Sequence, residues 1–196
     1  SGWTDMTQTA KLVASDAASY DYFGQSVSIS GDQIVVGASG DDHVYSSAGS
    51  AYIFLKPTGG WANMTQTAKL TASDAYLNDN FGRSVSISGN QIVVGAPGSN
   101  SIGSAYIFLK PVGGWGNMTQ TAKLTASDAA ASDNFGGSVS ITGTQVLVGA
   151  SGDDDGGSSS GAAYFFTTST GGWSNMTEVQ KLVAPDHYSV SNHNYG

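Results

Sequence analysis

Aspartate recurs in two kinds of loop, and in each of them several carboxylates lie close together in the sequence. The first kind precedes each Phe-Gly pair and contains Asp16, Asp21, Asp74, Asp79, Asp128 and Asp133. The second kind follows each Val-Gly-Ala and contains Asp41, Asp42, Asp153, Asp154 and Asp155. Carboxylates accompanied by serine hydroxyls and backbone oxygens suit Ca2+, which takes about six to eight oxygen ligands. These loops therefore predict a candidate Ca2+ site.

The segment "GDDDGGSSSG" from Gly152 is the strongest candidate for such a cation site. The corresponding segment of the second copy, "GSNSIG" from Gly98, has no carboxylate, so the site is not built into every copy. Two other interpretations stay open. The carboxylates can attract a basic partner or a hydroxyl-rich glycan, or each Asp can simply close an Asx-turn and keep the surface soluble.

Asn-Met-Thr is a second recurring motif, and it matches the N-glycosylation sequon at Asn63, Asn117 and Asn175. The first copy has Asp5 in this place and cannot be modified. The motif predicts regularly spaced glycans if the protein is secreted by a cell with the glycosylation machinery. Otherwise the asparagine is a turn residue that precedes Met-Thr.

Residues arranged for catalysis are missing from the repeated pattern. His43, His187 and His193 recur in no other copy, and the sequence has neither an HExxH motif nor a GxSxG nucleophile elbow, in which a strand leads through the serine into a helix. Pairs of Asp can serve as the two carboxylates of a glycosidase. Here they recur as a surface feature would, so we predict that the protein is not an enzyme.

Composition narrows the classes of partner. The net charge of −8 disfavours nucleic acid and anionic membranes, because neither phosphate nor lipid headgroups would be attracted. No apolar run approaches the roughly 18–20 residues of a membrane span, so membrane insertion is not expected. The chain contains no cysteine, which excludes disulfides, thiolate metal sites and cysteine nucleophiles.

The positions that could do chemistry belong to a sequence repeat with a long period. Trp3, Trp61, Trp115 and Trp173 are 58, 54 and 58 residues apart, and the Phe-Gly pairs keep the same spacing. A fixed period of this length is typical of propellers, solenoids and other arrays. We divide the chain into repeats at residues 1–60, 61–114 and 115–172, with a partial, divergent fourth repeat at 173–196.

Each copy contains four strand candidates and no helical pattern. In the first copy they are "QSVSIS", "QIVVGA", "AYIFLK" and "MTQTAKLVAS". Gly31-Asp32 predicts a two-residue type II′ hairpin between the first two. In an antiparallel meander alternate loops share an edge, so both kinds of Asp loop should form one acidic face. The opposite face would carry Lys56, Lys110 and the Gly-Gly-Trp turns.

Several of these motifs together resemble a known family. "FG-x-SVSI", "VVGAP" and "GSAYIF" are similar to the FG-GAP repeat, the blade unit of integrin-α-type β-propellers. The "W-x-x-MTQTAKLTASD" stretch before them resembles the bacterial-style variety of that repeat. In integrin-type blades a calcium loop separates the FG strand from the GAP strand. Here that connection is the tight turn Gly31-Asp32, so the resemblance does not carry the integrin calcium sites to this chain.

We therefore predict an all-β fold of tandem four-stranded antiparallel blades, β-propeller-like. It would form a partial ring, a ring completed by oligomerisation, or an open stack, because propellers typically need about 4–8 blades. A single blade cannot bury both faces, so neighbouring blades must form the core. The aromatic residues expected between blades are Phe23, Tyr52, Phe54, Phe81, Tyr106, Phe108, Phe135, Tyr164 and Phe166.

The function predicted from these features is non-enzymatic. We expect an extracellular or cell-surface protein that serves structural self-assembly, of fibre or surface-layer type, or adhesion. Its partners would be copies of itself or further repeats of a longer chain. The alternative is a calcium-assisted propeller module that binds a glycan or protein ligand on the acidic face.

Overall fold

The fold is all-β, in a computed structural model that describes residues 7–168 and 171–184. Three antiparallel four-stranded blades follow one another, and they do not close into a ring within these residues. Blade 1 contains β2 (Ser26–Ser30), β3 (Gln33–Ala38), β4 (Ser50–Leu55) and β6 (Ala68–Thr71). Blade 2 contains β7 (Ser84–Ser88), β8 (Gln91–Ala96), β9 (Ser104–Leu109) and β11 (Ala122–Thr125). Blade 3 contains β12 (Phe135–Thr142), β13 (Gln145–Ala150), β14 (Ala162–Thr167) and β16 (Gln180–Val183).

The remaining strands are two residues long. β10 (Met118–Thr119) and β15 (Met176–Thr177) connect neighbouring blades, whereas β1 (Leu12–Val13) and β5 (Met64–Thr65) pair with each other in a two-stranded sheet. A short 3-10 turn covers Ser99–Ser101. Trp3, Asp5 and His187, and with them the end of the fourth repeat, lie outside the described residues.

Turn chemistry sets the first hairpin of each blade. Ser30 pairs with Gln33, which leaves Gly31 and Asp32 as a two-residue loop. Gly31 has a φ of +57° and Asp32 has no positive φ, as a type II′ turn requires. Gly89 and Gly143 repeat this geometry in the other blades.

The prediction of a single strand for each "MTQTAKL" segment is wrong. Met64–Thr65 pairs in parallel with Leu12–Val13 on the preceding sheet, whereas Ala68–Thr71 pairs antiparallel with β4 of blade 1. Between them the chain crosses at Thr67, whose N–H donates to Ile53 O at 2.7 Å. We call β5, β10 and β15 the crossover strands. Each pairs with a strand of one sheet, and the chain then crosses into the next sheet.

Side chains hold both ends of every crossover strand. At one end Asn63 Oδ1 accepts the N–H of Lys11 at 2.7 Å. At the other, Gln66 Oε1 accepts the N–H of Ser15 while Gln66 Nε2 donates to the Ser15 hydroxyl. The same bonds recur at Asn117 with Gln120. At Asn175 with Glu178 the backbone bonds recur, but the Ser127 hydroxyl donates to the Glu178 carboxylate. The sheets are thus offset from the Trp-phased sequence repeats, since each blade takes its last strand from the following repeat.

The core lies between blades. We define the back face of a blade as the one turned to the next blade, and the front face as the one turned to the preceding blade. Val35, Ile53 and Leu70 on the back of blade 1 pack in one cluster with Phe81 and Phe108 on the front of blade 2. Each such fully buried side chain stabilises the fold by about 1.5–3 kcal/mol relative to an exposed one.

The aromatic residues named from the sequence occupy these front faces. Phe81 packs edge-on against Phe108 with ring centroids 5.9 Å apart, and Phe135 packs in the same way against Phe166 at 6.1 Å. Tyr106 and Tyr164 complete these two clusters. On blade 1, Phe23 is half-buried beside the fully buried Tyr52 and Phe54.

Glycines allow the backbones of adjacent blades to touch. A Cβ on Gly37 would lie 2.0 Å from Gly82 O, and one on Gly82 would lie 2.3 Å from Ser50 O. Gly49 forms a parallel bridge with Phe81. Gly95, Gly103 and Gly136 repeat these contacts between blades 2 and 3. The Phe-Gly and Val-Gly-Ala motifs recur together because they meet across each blade boundary.

Replacing Gly82 by alanine tests this contact against a matched control. Gly24 has nearly the same φ as Gly82, +92° against +90°, but a Cβ on Gly24 would meet nothing within 4 Å. Gly24→Ala should therefore cost only the backbone strain, about 1–2 kcal/mol. Gly82→Ala should cost a further about 1–3 kcal/mol from the clash with Ser50 O.

Chemical denaturation of both variants and the parent measures the difference in the free energy of unfolding. Equal losses for Gly24→Ala and Gly82→Ala would contradict the close contact between blades 1 and 2.

Candidate functional site

Both kinds of Asp loop lie at one edge of the blades, as the meander predicts, and one Asp of each copy holds the two loops together. The backbone oxygens of Asp21, Asp79 and Asp133 accept the N–H of Gly40, Gly98 and Gly152 in the neighbouring loop. Their Oδ2 atoms accept the N–H of the residue three positions earlier, at 2.6, 2.8 and 2.7 Å. All three side chains are buried. These aspartates close turns, and their positions do not present a carboxylate to an external ligand.

A lysine that the sequence analysis did not single out enters the acidic loops of every blade. In blade 1, Lys69 Nζ lies 2.6 Å from Asp16 Oδ2 and 3.0 Å from Asp41 Oδ2. The Tyr52 hydroxyl lies 3.0 Å from Asp16 Oδ1 and 2.7 Å from Asp41 Oδ2. Lys69 Nζ also lies 5.3 Å from the centre of the Tyr52 ring. We call this arrangement of Asp, Tyr and Lys the loop cluster.

The loop cluster of blade 3 contains the set of carboxylates that could hold a metal ion. Asp128, Asp153 and Asp155 each offer an oxygen atom within 4.8 Å of the others, and no other such group occurs in the described part of the chain. Lys181 Nζ lies 2.7, 2.7 and 2.6 Å from these three carboxylates. A cation would have to displace the ammonium group, and with one oxygen from each carboxylate Ca2+ would still need about three to five further oxygen ligands.

Blade 2 carries a reduced loop cluster. Lys123 Nζ lies 2.6 Å from Asp74 Oδ2, but Ser99 stands where blades 1 and 3 have Asp41 and Asp153. The Ser99 hydroxyl lies 3.2 Å from the Tyr106 hydroxyl. In blade 1, Ser50 Oγ donates to Asp41 Oδ1 at 3.0 Å. The equivalent Ser104 Oγ of blade 2 is buried without a partner, because the carboxylate that would accept its proton is absent.

The pKa values follow from this pairing. Burial by itself raises the pKa of Asp41, but hydrogen bonds from His43, Tyr52 and Lys69 outweigh burial and hold the pKa well below its usual range. Burial likewise opposes the lowered pKa values of Asp153 and Asp128, which the Lys181 and Tyr164 hydrogen bonds produce. The clusters are therefore salt-bridged at neutral pH.

The other predicted residues have local roles. Asp42 Oδ1 accepts the N–H of Ser47, and Asp154 O accepts the N–H of Gly157. Asn63, Asn117 and Asn175 are exposed and use only Oδ1 in the crossover bonds. Their Nδ2 atoms would be the points of glycan attachment, so glycosylation stays a prediction.

His43 lies near a serine and an aspartate, but the geometry does not expose a nucleophile. His43 Nδ1 is 3.3 Å from Asp41 Oδ1 and 3.5 Å from Ser50 Oγ. Ser50 is completely buried and donates its proton to Asp41 rather than to the imidazole. A substrate could not reach the Ser50 hydroxyl without opening the blade.

A groove of about 830 Å³ opens at blade 3 and extends to Arg83 and Pro97 of blade 2. Its walls include Ser138, Gly149, Ala150, Gly161 and Leu182. The equivalent positions of blades 1 and 2 are covered by Phe81-Gly82 and Phe135-Gly136. We call the groove on blade 3 the receiving groove.

Apolar residues are exposed at both ends of the array. Val27 and Ile29 on the front of blade 1 are 66% and 64% exposed, whereas Val85 and Ile87 at the same positions of blade 2 are 8% and 6% exposed. On the back of blade 3, Leu147 and Leu182 are 39% and 42% exposed. Their counterparts Val93 and Leu124 on blade 2 are completely buried.

Comparisons with known proteins agree with the repeat pattern. The model of the FG-GAP repeat family matches residues 6–54, 64–108 and 118–166. No curated protein matches the chain in sequence. Among solved structures, the chain is similar to "Crystal structure of the computationally designed Ika4 protein". Identity is 13%, with 93% of this chain and 81% of that chain covered and a TM-score of 0.47. Within residues 7–168 and 171–184, no helix is long and apolar enough to cross a membrane.

Removing the orphaned hydroxyl of blade 2 should stabilise the protein, and removing its paired counterpart should not. Ser104→Ala deletes a buried group that has no partner and should raise the free energy of unfolding by about 1 kcal/mol. Ser50→Ala deletes a hydrogen bond to a buried carboxylate and should lower it by about 1.5–3 kcal/mol. Urea denaturation of the two variants gives the comparison, and a destabilised Ser104→Ala would show that the hydroxyl is satisfied.

Acid should destabilise the protein through the loop clusters. The carboxylates whose pKa is lowered on folding are Asp41, Asp74, Asp128 and Asp153. In the unfolded chain they take up protons near their usual pKa of 3.8, so stability present above that pH is lost as the pH falls further. Asp79, whose pKa is raised by burial, opposes this trend.

At high pH the loss should come from lysine and tyrosine. The pKa of Lys123 and that of Tyr106 are raised on folding. These residues therefore stabilise the folded protein below about pH 10, and this contribution declines at higher pH. Denaturation midpoints measured from pH 2 to pH 11 should show a plateau that falls at both ends. A midpoint that stays constant down to pH 2 would contradict the salt-bridged clusters.

Proposed function

Because the chain belongs to the FG-GAP repeat family, we propose that it is a structural module whose end blades stack on further blades. It acts outside the cell or on its surface, in self-assembly of the fibre or surface-layer type or in adhesion, and it carries out no reaction. FG-GAP repeats are typical of extracellular proteins, which supports this location.

The observation that carries the proposal is the unequal exposure of equivalent residues. Val27 and Ile29 are exposed, although the residues at the equivalent positions of blade 2 are buried. They form an apolar strip on the front of blade 1. Leu147 and Leu182 form the complementary strip on the back of blade 3. Exposed patches of this kind mark interaction sites.

The partners that fit these two faces are blades of the same kind. A front face packs on a back face at both internal boundaries, between blades 1 and 2 and between blades 2 and 3. Such contacts are heterologous, so they produce a ring when the rotation closes and a filament when it does not. Further repeats of a longer chain can supply the blade, and another copy of this one can do so if β1 of one copy or β16 of the other gives way, since the two are equivalent strands.

Two features support a non-catalytic role. Each carboxylate of the loop clusters is paired with Lys69, Lys123 or Lys181, although the clusters of blades 1 and 3 keep more carboxylates than lysines. The Asp and Lys residues recur from blade to blade with only local changes, as structural residues do.

A second candidate function is calcium-assisted binding of a glycan or protein on the acidic face. Asp128, Asp153 and Asp155 favour it, since they could hold a metal ion once Lys181 moved aside. The exposed rings of Tyr45 and Tyr76, with centroids 5.2 Å apart, lie on loops at the same edge and offer a surface for a sugar. This function needs an ion and a ligand, whereas stacking needs only another blade.

Light scattering separates the two functions. We expect the molar mass of the purified chain to exceed that of one chain, 20.0 kDa, and to rise with concentration. Val27→Ser with Ile29→Ser should reduce the mass towards one chain. Val112→Ser is the control, because Val112 is fully exposed on a turn between strands and contributes to neither end face.

Repeating the measurement in Ca2+ and then in excess chelator tests whether the acidic loops bind a cation. An assembly that persists in chelator supports stacking, and one that dissociates assigns the loops to cation binding. A single chain under both conditions, at high concentration, would contradict self-assembly of this chain and leave only stacking on further repeats of a longer chain.

A further inference from the structure

We propose that copies of this chain join by exchanging a strand, so that β1 of one copy takes the place of β16 in blade 3 of a second copy. This inference rests on the proposed stacking function. It names the partner, the strand that gives way and the residues that form the joint.

β1 and β16 are equivalent strands, and each has only one of the two neighbours that this strand has elsewhere. β6 and β11 pair antiparallel with the third strand of their blade and parallel with a crossover strand. β1 has the parallel partner β5, and β16 has the antiparallel partner β14. Among the described residues neither strand has the other neighbour. Since an unpaired strand edge is a template for another chain, one strand can serve both partners.

β1 already occupies the place that a fourth strand holds against the next blade. Leu12 packs against Tyr52 on the front of blade 1, as Leu70 of β6 packs against the front of blade 2. The N–H of Lys11 donates to Asn63 Oδ1, which is the bond that anchors each crossover strand. In the joint β1 therefore stays where it is, and β16 of the second copy gives way.

β16 fits its blade less well than β6 and β11 fit theirs. In blade 1 the Thr67 hydroxyl accepts the N–H of Leu55 at 3.1 Å, and blade 2 repeats this bond. Val179 holds the equivalent position in blade 3 and has no hydroxyl. Thr9 holds it in the segment that leads to β1. The exchange therefore gives blade 3 a bond that its own segment cannot make.

The position of Gln180 has to be small where blades stack. Ala68 and Ala122 hold this position in blades 1 and 2, and both are completely buried between blades. Gln180 is exposed, and a blade packed on it in the same way would bury its amide, which costs free energy unless the amide finds a partner. Ala10 holds the position before β1. Blade 3 therefore matches the internal boundaries only after β16 has left.

The exchange also preserves the loop cluster of blade 3. The lysine of each loop cluster lies on the fourth strand of its blade. Lys11 holds the same position immediately before β1, is exposed, and forms no salt bridge within the described residues. In the exchanged joint Lys11 takes the place of Lys181 beside Asp128 and Asp153. The carboxylates therefore keep an ammonium group when β16 leaves.

Burial of the end faces favours the exchanged state. The pairing that β14 loses with β16 is replaced by equivalent pairing with β1, and exchange of equivalent elements is a low-cost route to assembly. With β1 in this place, the Phe23-Gly24 segment of the same copy faces the receiving groove. Val27 and Ile29 are then buried against Leu147, as their counterparts are at the internal boundaries. This burial is gained in addition to the replaced strand pairing.

Cysteine pairs test the exchange directly, because the chain has no cysteine of its own. Ala163 of β14 pairs with Leu182, whose place Leu12 takes in the joint. One chain carries Ala163→Cys, another carries Leu12→Cys, and the two are mixed and oxidised. We expect a disulfide-linked pair with one chain of each kind, detected by mass spectrometry. The matched control is Ala51→Cys with Leu70→Cys in a single chain, since these two residues form the same pair in blade 1.

The yield of the mixed pair decides the inference. A mixed pair supports the exchange, and its absence while the control closes its internal disulfide overturns it. Val13→Cys in place of Leu12→Cys checks the register, because neighbouring side chains of a strand point to opposite faces. We expect no mixed pair with Val13→Cys. Equal yields from the two variants would indicate random collision and would also overturn the exchange.

Locking β16 in its own blade separates the exchange from the stacking function. A chain with Ala163→Cys and Leu182→Cys holds β16 on β14 when oxidised. By light scattering we expect a single chain in the oxidised sample and assembly of the same sample after reduction. Equal assembly in both states would overturn the exchange and leave stacking standing. A single chain in both states and in the parent would remove self-assembly and the exchange together.

Two further variants measure which strand forms the joint. Thr9 is exposed in the single chain, so Thr9→Val should not change the stability but should weaken association about 3- to 10-fold by removing the new hydrogen bond. Thr7→Val, at another exposed threonine, is the control, and equal affinity for the two would count against the exchange. Gln180→Ala should not strengthen association, because β16 leaves the joint. A strengthened association would show that β16 stays in place and would overturn the inference.

Discussion

The close approach of backbone to backbone at the blade boundaries is the constraint on which the structure depends. The Gly82 carbonyl lies so close to Gly37 that a Cβ there would be 2.0 Å from its oxygen, and Phe81 approaches Gly49 in the same way. Once these segments touch, Phe81 must point into the space between the sheets, where Tyr106 and Phe108 surround it. The glycines thus determine the sheet separation, and the aromatic residues fill it.

Electrostatics adds a second layer at the loop edge. Three clusters, each with exposed aspartates and a largely buried lysine, combine aspartates, a tyrosine and a lysine, and the lysine comes from the repeat that follows. The ion pairs therefore connect segments about one repeat apart, in addition to the crossover strands. The acidic face is consequently less negative than its count of aspartates indicates, which matters for any partner attracted by charge.

Much of the fold is readable from the sequence, for identifiable reasons. Period-two alternation and Gly31-Asp32 are local signals, and the first hairpin forms as they predict. The alternation in "MTQTAKL" continues through Gln66 and Thr67, so it cannot reveal that the chain changes sheets there. Lys69 recurs with the Trp spacing, but its partner Asp16 is 53 residues away, and spacing alone does not show that they meet. For the same reason, the prediction of a cation site at Asp153 did not foresee that Lys181 pairs with this carboxylate.

The crossover strands also have a mechanical consequence. Leu12–Val13 and Met64–Thr65 run parallel, and the chain leaves the first strand for blade 1 and returns along the second. A pull on the two ends of this repeat would load their bonds together in shear, with Asn63 and Gln66 anchoring the ends. Bonds loaded in shear break collectively, whereas bonds that unzip break one at a time. An array built in this way would resist tension along the polypeptide at every blade boundary.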